Sequence, residues 1–156
     1  MDEMLRACRN CLDSPESVFE NLTDEDKDTL FNRHSAKTFK KGDTIYHSGE
    51  RPAGVLCLAE GKVKIFQEGI TGREQIIRMV KPYGFIGYRA FFAEENYKAT
   101  AVAIEDCVVC QFPREVIMLI LQERPDITVR MLKSLANELG VSNKRTVNLT
   151  QKHIRG

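Results

Sequence analysis

At 156 residues, with 23 basic against 22 acidic side chains and a net charge of +1, the chain has room for one ordinary domain plus an appended helix. Its field is too weak to draw in a polyanion, which argues against a nucleic-acid-binding module within these residues. No apolar run nears the roughly 18 residues of a membrane span, and the acidic start Met1-Asp2-Glu3 is unlike a signal peptide, so a cytoplasmic protein is expected. The five cysteines (Cys8, Cys11, Cys57, Cys107 and Cys110) are odd in number and lack a secretory context. They predict no disulfide framework, and point to core packing or to metal and redox chemistry.

In chain order, residues 1–35 read as an N-terminal segment with a helix. The run from Ser17 to His34 is polar and acidic, and in Thr23-Asp24-Glu25-Asp26 it carries a capping-box pattern with the acids in the dipole-favoured first turn. Phe19, Leu22, Leu30 and Phe31 give this unit an apolar side to dock.

Residues 36–112 change to short β runs. The predicted strands are Lys37–Phe39, Thr44–Tyr46, Val55–Ala59, Val63–Gln67, Glu74–Val80, Ala99–Ile104 and Val108–Phe112, broken at glycine turns such as Glu60-Gly61-Lys62. Seven or eight strands at this spacing, with no helices between them, predict a mainly β jelly roll and exclude βαβ units.

Residues 113–156 become helical. Pro113 and Pro125 suit first-turn positions, predicting a short helix Arg114–Gln122 and a long one from about Asp126 to His153. Along the second, Leu132, Leu135, Leu139, Ser142, Thr146, Leu149 and His153 recur at three- and four-residue steps. Such a seam suits a partner helix, most simply a second copy making a homodimer; the alternative is a face packed on its own roll. Gly140 within it costs about 1 kcal/mol relative to alanine and marks a place to bend.

Four stretches, "FKKGDTIYHSGE" (39–50), "LCLAEGKVKIFQ" (56–67), "GREQIIRMVKPYGFIGYRAFF" (72–92) and "ATAVAIEDCVVCQFP" (99–113), resemble in order the sensor half of the Crp/Fnr family of bacterial transcription regulators. The resemblance implies a cyclic-nucleotide-binding-type β-roll followed by a dimerisation helix. In that family a winged helix-turn-helix domain follows, whereas this sequence stops at "LTQKHIRG" (149–156). The resemblance therefore implies a sensor and dimerisation half whose DNA-reading domain is not in this chain.

The family's Phe-Gly-Glu corresponds to Ile86-Gly87-Tyr88, and its Arg-Ser/Thr-Ala to Ala99-Thr100-Ala101. The glycine and hydroxyl frame persists, but Tyr88 is no carboxylate for a ribose hydroxyl and Ala99 no guanidinium for a cyclic phosphate. Each lost contact is worth roughly 1.5–3 kcal/mol, so no tight cyclic AMP binding is expected. Arg89 or Lys98, one position from each gap, is the replacement cation if the pocket still takes a cyclic nucleotide; otherwise both point to solvent. The family's base-reading Thr-Ser pair falls at Ser142 and Asn143, where Ser142 serves either as a ligand contact or as a polar register residue in the seam.

Oxygen-sensing members of the family hold an iron–sulfur cluster with an N-terminal cysteine group and one cysteine from a late strand. Cys8, Cys11 and Cys110 take those places, but the third N-terminal position falls near Ser17 or Val18, leaving three ligands where a four-iron cluster usually takes four. Zinc is the other metal that suits these three. Cys107 is poorly placed to complete the set, because residues three apart on a strand face opposite sides. No enzyme pattern competes: His34, His47 and His153 stand in unrelated contexts, and no nucleophile–base pair or Walker loop is present. The sequence thus reads as a sensor half with an unidentified small-molecule effector, a cluster-bearing redox sensor being the alternative.

Overall fold

The computed structural model describes residues 3–15, 19, 22–137 and 140. Their elements run α1 (Glu3–Asp13), α2 (Asp24–Arg33), β1 (Ser35–Phe39), β2 (Thr44–Tyr46), β3 (Gly54–Glu60), β4 (Val63–Glu68), β5 (Glu74–Val80), β6 (Phe85–Ile86), α3 (Tyr88–Ala93), β7 (Thr100–Ala103), β8 (Cys107–Pro113) and α4 (Arg114–Glu123), followed by helical residues 125–137. The strands form two four-stranded sheets, ordered β1-β8-β3-β6 and β2-β7-β4-β5. Every strand pair is antiparallel, as the expected roll requires.

Strands β3 and β8 organise the interior. Successive side chains on a strand face opposite ways, and here both faces are covered, so "VLCLA" and "CVVC" are buried at every position. Leu56, Leu58, Cys107 and Val109 face inward and pack with Val63, Ile65, Ala101 and Ala103 of the second sheet. Val55, Cys57, Cys110 and Phe112 face the other way, into a layer with Leu12, Leu30, Ile117 and Ile127 from the helices. Full burial of each large aliphatic or aromatic residue contributes about 1.5–3 kcal/mol.

The N-terminal helices are fastened by charge as well as by this layer. Arg9 Nη1 lies 2.7 Å from Asp28 Oδ1, and Lys27 Nζ lies 3.3 Å from Asp13 Oδ1. The predicted cap forms: Thr23 Oγ1 accepts the Asp26 amide at 3.2 Å. The Asp26 carboxylate accepts from Arg124 Nε at 2.7 Å, tying α2 to the end of α4.

Four expectations need correction. Cys8 and Cys11 lie on a helix of their own, α1, ahead of the predicted one, while the predicted helix begins only at Asp24. A short helix, α3, does interrupt the strands; its six residues, bracketed by left-handed Gly87 and Glu94, are too few for a periodic signal. The two-residue strand β6 was also invisible for the same reason. The cysteines are not unpaired either: Cys8 is joined to Cys110 and Cys11 to Cys57, because α1 docks on the sheet face that carries both strand cysteines.

In the last helix Ile127 and Met131 are buried, Ile127 in the layer between helices and sheet, whereas Leu132 is 59% exposed and Leu135 half-buried. The seam residues Leu139, Ser142, Thr146, Leu149 and His153 lie outside the described residues. Among the described residues, no helix is long and apolar enough to cross a membrane.

Candidate functional site

Gly87 shapes the first candidate site. Its φ of 71° is one that L side chains rarely adopt, and a Cβ there would stand 2.5 Å from Tyr97 Cε1 and 3.3 Å from Tyr46 Cε2. Only glycine lets the turn into α3 lie this close to the two rings. Tyr46 and Tyr97 stack with centroids 3.6 Å apart and planes at 10°. Burial pushes the Tyr97 phenol up to about 12 and the Tyr46 phenol higher still, so both are neutral at physiological pH.

Beside this pair opens a cleft of about 310 Å³ between β4, β5, α3 and the approach to β7. Gly87, Tyr88, Arg89, Lys98 and Ala99 all line it, so the structure brings five of the expected pocket residues together. Ile86 and Ala101 are instead buried beneath it, in the core between the sheets. Thr100 Oγ1 accepts the Ser48 amide at 3.1 Å, which gives this hydroxyl a structural partner. Ser142 and Asn143 lie outside the described residues.

The two cations expected to rescue an anion site are engaged with one carboxylate. Glu95 Oε2 lies 3.1 Å from Arg89 Nη2 and 3.4 Å from Lys98 Nζ, at the exposed rim. Lys98, then Arg89, hold the Glu95 carboxyl below its ordinary range. Sequence reasoning missed a third cation: Arg78, from β5, lines the cleft with its guanidinium 5.3 Å from the centre of the Tyr88 ring. It also missed Tyr46, Tyr97 and Gln67, whose side-chain amide donates to the Lys98 carbonyl at 3.2 Å. The Arg78–Tyr88 approach joins residues ten apart on different elements, a relation that no local pattern carries.

The second candidate site is sulfur. Cys57 and Cys110 are directly opposed across the β3–β8 pair, on the helix-facing side. Cys8 and Cys11, three apart on one face of α1, meet them there, with all four at most 1% exposed. Paired sulfur to sulfur, they leave no group of three or more His, Cys, Asp or Glu side chains arranged for a metal among the described residues. Cys107 lies on the opposite face of β8, buried and free, as its odd spacing from Cys110 predicted. Burial raises its thiol pKa.

Residues 36–124 match the Cyclic nucleotide-binding domain family. The chain belongs to that family. Its relatives are mostly Crp/Fnr-type transcription regulators, and lysophospholipases nte1 of Aspergillus species share the domain. The Cyclic AMP receptor protein of Thermus thermophilus is 24% identical, over 78% of this chain and 56% of its own length. The Transcriptional activator protein anr of Pseudomonas aeruginosa is 25% identical, over 93% of this chain and 59% of its own. The chain thus spans little more than half the length of these two regulators. In fold it is similar to the sensor domain of the transcriptional regulator DNR from Pseudomonas aeruginosa, with a TM-score of 0.77 at 23% identity, covering 92% of this chain and 95% of that one. Within the cyclic nucleotide-binding family, then, this member carries the fold and the glycine turn but has Tyr88 and Ala99 where the resemblance places the acid and the base.

Proposed function

We propose that this chain is the effector-sensing and dimerisation half of a Crp/Fnr-like DNA-binding transcription regulator, with a degenerate nucleotide cleft and a different small molecule as its signal. Residues 1–35 form its N-terminal attachment, 36–112 the sensing roll, and 113–156 the short helix, dimerisation helix and hinge. The cleft carries this reading: Gly87 keeps the cradle's turn, while Tyr88 and Ala99 supply neither anchor and Glu95 engages both neighbouring cations. Exposed Leu132, facing away from the buried Ile127 and Met131, supports a seam for a second copy. A ligand acts by favouring one of two helix arrangements and so the orientation of DNA-reading domains outside this chain.

Calorimetric titration of the full-length protein with cyclic AMP tests the cleft. No heat of binding is expected at micromolar concentration; micromolar affinity would reject the degenerate cleft and return Arg89 or Lys98 to the role of phosphate ligand. Analytical ultracentrifugation should give a dimer, and a strict monomer sinks the seam.

The buried sulfurs favour a second reading, in which redox or metal chemistry at Cys8, Cys11 and Cys110 supplies the signal. Released from their disulfides, three thiolates from α1 and β8 are ligands of the kind that zinc and iron–sulfur clusters take. A bound cluster would supply a redox-responsive centre. The residues' own part is to deliver thiolates from two separate elements, so that occupancy and the docking of α1 depend on one another.

A further inference from the structure

The three cysteines of that second reading leave one ligand position unfilled, and the sulfur nearest to filling it is not the one the strand sequence suggests. Cys107 shares β8 with Cys110 but faces the interior between the sheets. Cys57 comes from a different strand, and the β3–β8 register sets it directly opposite Cys110 on the same face. Cross-strand neighbours of this kind have Cβ atoms about 4.5–5.5 Å apart. On α1, Cys8 and Cys11 present their sulfurs over the same spot, Cys8 meeting β8 and Cys11 meeting β3.

We infer that Cys57 completes a tetrathiolate metal site with Cys8, Cys11 and Cys110, a centre for zinc or an iron–sulfur cluster that clips α1 to the roll. The inference rests on the second reading above. Four soft sulfur donors, two from a helix and two from adjacent strands, approach from opposite sides of one dry layer, the ligand chemistry that selects zinc or iron–sulfur centres over hard cations.

The backbone spacing agrees. The Cys8 and Cys110 Cα atoms are 5.9 Å apart, within the span of an ordinary disulfide, but those of Cys11 and Cys57 are 7.4 Å apart. Disulfides usually span about 4.4–6.8 Å between Cα atoms. The wider pair lies beyond that span, and two Zn–S bonds of about 2.3 Å each bridge a longer gap than one S–S bond of about 2.0 Å.

The paired and metal-bound forms are related by balanced steps. Two equivalents of a dithiol reductant deliver four electrons and four protons, opening Cys8–Cys110 and Cys11–Cys57 to four thiols while the reductant closes to two disulfides. Zinc then displaces four thiol protons as four Zn–S bonds form. The reduced, metal-free form keeps neither covalent tie between α1 and the sheet, while the apolar packing and the ion pairs to α2 remain.

Full-length protein, reduced without oxygen, tests this in two arms, one given zinc and the other ferric iron with sulfide and excess dithiol, whose electrons bring the iron to a cluster's mixed valence, each followed by gel filtration and native mass spectrometry. One zinc or one cluster per chain is expected, and the arm that retains metal identifies the centre. X-ray absorption of the zinc-loaded protein should show four sulfur neighbours at about 2.3 Å, and visible absorbance should mark a cluster.

Cys57→Ser should retain at least tenfold less metal, with Cys107→Ser unchanged. Three sulfurs and one lighter atom in wild type, or full metal retention by Cys57→Ser, overturns the role of Cys57 while leaving the three-cysteine reading intact. Metal in neither arm overturns both. Should Cys57→Ser fail to fold, the sulfur count on wild type decides, or in the iron arm the number of cysteines that the loaded protein shields from alkylation.

Discussion

The cleft and the sulfur layer lie on different sheets and treat their functional groups in opposite ways. Around the cleft, polar groups are already engaged: Glu95 with Arg89 and Lys98, Gln67 with the Lys98 carbonyl, Thr100 with the Ser48 amide, and Arg78 over Tyr88. In the sulfur layer, four like donors converge with the two disulfides as their bonds to one another. A ligand entering the cleft competes with existing contacts, in part-exposed surroundings where each charged contact is weak. At the proposed metal site, a metal entering the reduced sulfur layer would displace protons from the thiols. The site that resembles a nucleotide cradle is therefore the less prepared of the two.

Restoring the missing anchors is the strongest way to break this contrast. Tyr88→Glu with Ala99→Arg should raise cyclic AMP affinity by about 3–6 kcal/mol, roughly a hundredfold to tens of thousands-fold, in a calorimetric titration. No gain would show that the remaining frame is not a cradle.

Opening the clip comes next. Under oxidising conditions Cys8→Ala removes a tie across 102 residues and should cost about 2–5 kcal/mol in urea denaturation. An unchanged midpoint would mean that Cys11–Cys57 and packing hold the helix without this tie.

Gly87→Ala should cost about 1–3 kcal/mol through its left-handed backbone, plus whatever the clash with Tyr97 adds. A neutral result would remove the argument that glycine sets the Tyr46–Tyr97 floor.

The smallest effect belongs to Glu95→Gln. The Glu95 carboxyl is lowered by Lys98 and Arg89, so its contribution is present above the ordinary carboxylate pKa and is lost as pH falls through the depressed value. Thermal melts of wild type and variant should differ slightly at neutral pH and converge in acid; a gap that persists in acid would rule out the ion pairs as its origin.

Much of the roll was legible because its strands are short and punctuated by glycine turns. Thr44–Tyr46 and Glu74–Val80 coincide with the expected runs, and the others differ by a few residues at their ends. Helix α3 escaped because six residues carry less than two turns of pattern. The cleft was legible at Gly87, Tyr88 and Ala99, where family order places the residues. Arg78 was hidden because it reaches the cleft from an edge strand that also exposes Ile76, Ile77 and Met79, so its alternation has no clear inward and outward side.

Sequence alone determined which residues could share a face and which charged anchors the cleft lacks: strand alternation separates Cys107 from Cys110 whatever surrounds them, and neither tyrosine nor alanine can do the work of a carboxylate or a guanidinium. Only the tertiary structure decided that Cys57 belongs with Cys8, Cys11 and Cys110. That meeting depends on the β3–β8 register and on α1 docking across 46 and 102 residues of chain, separations at which local spacing holds no information about distance.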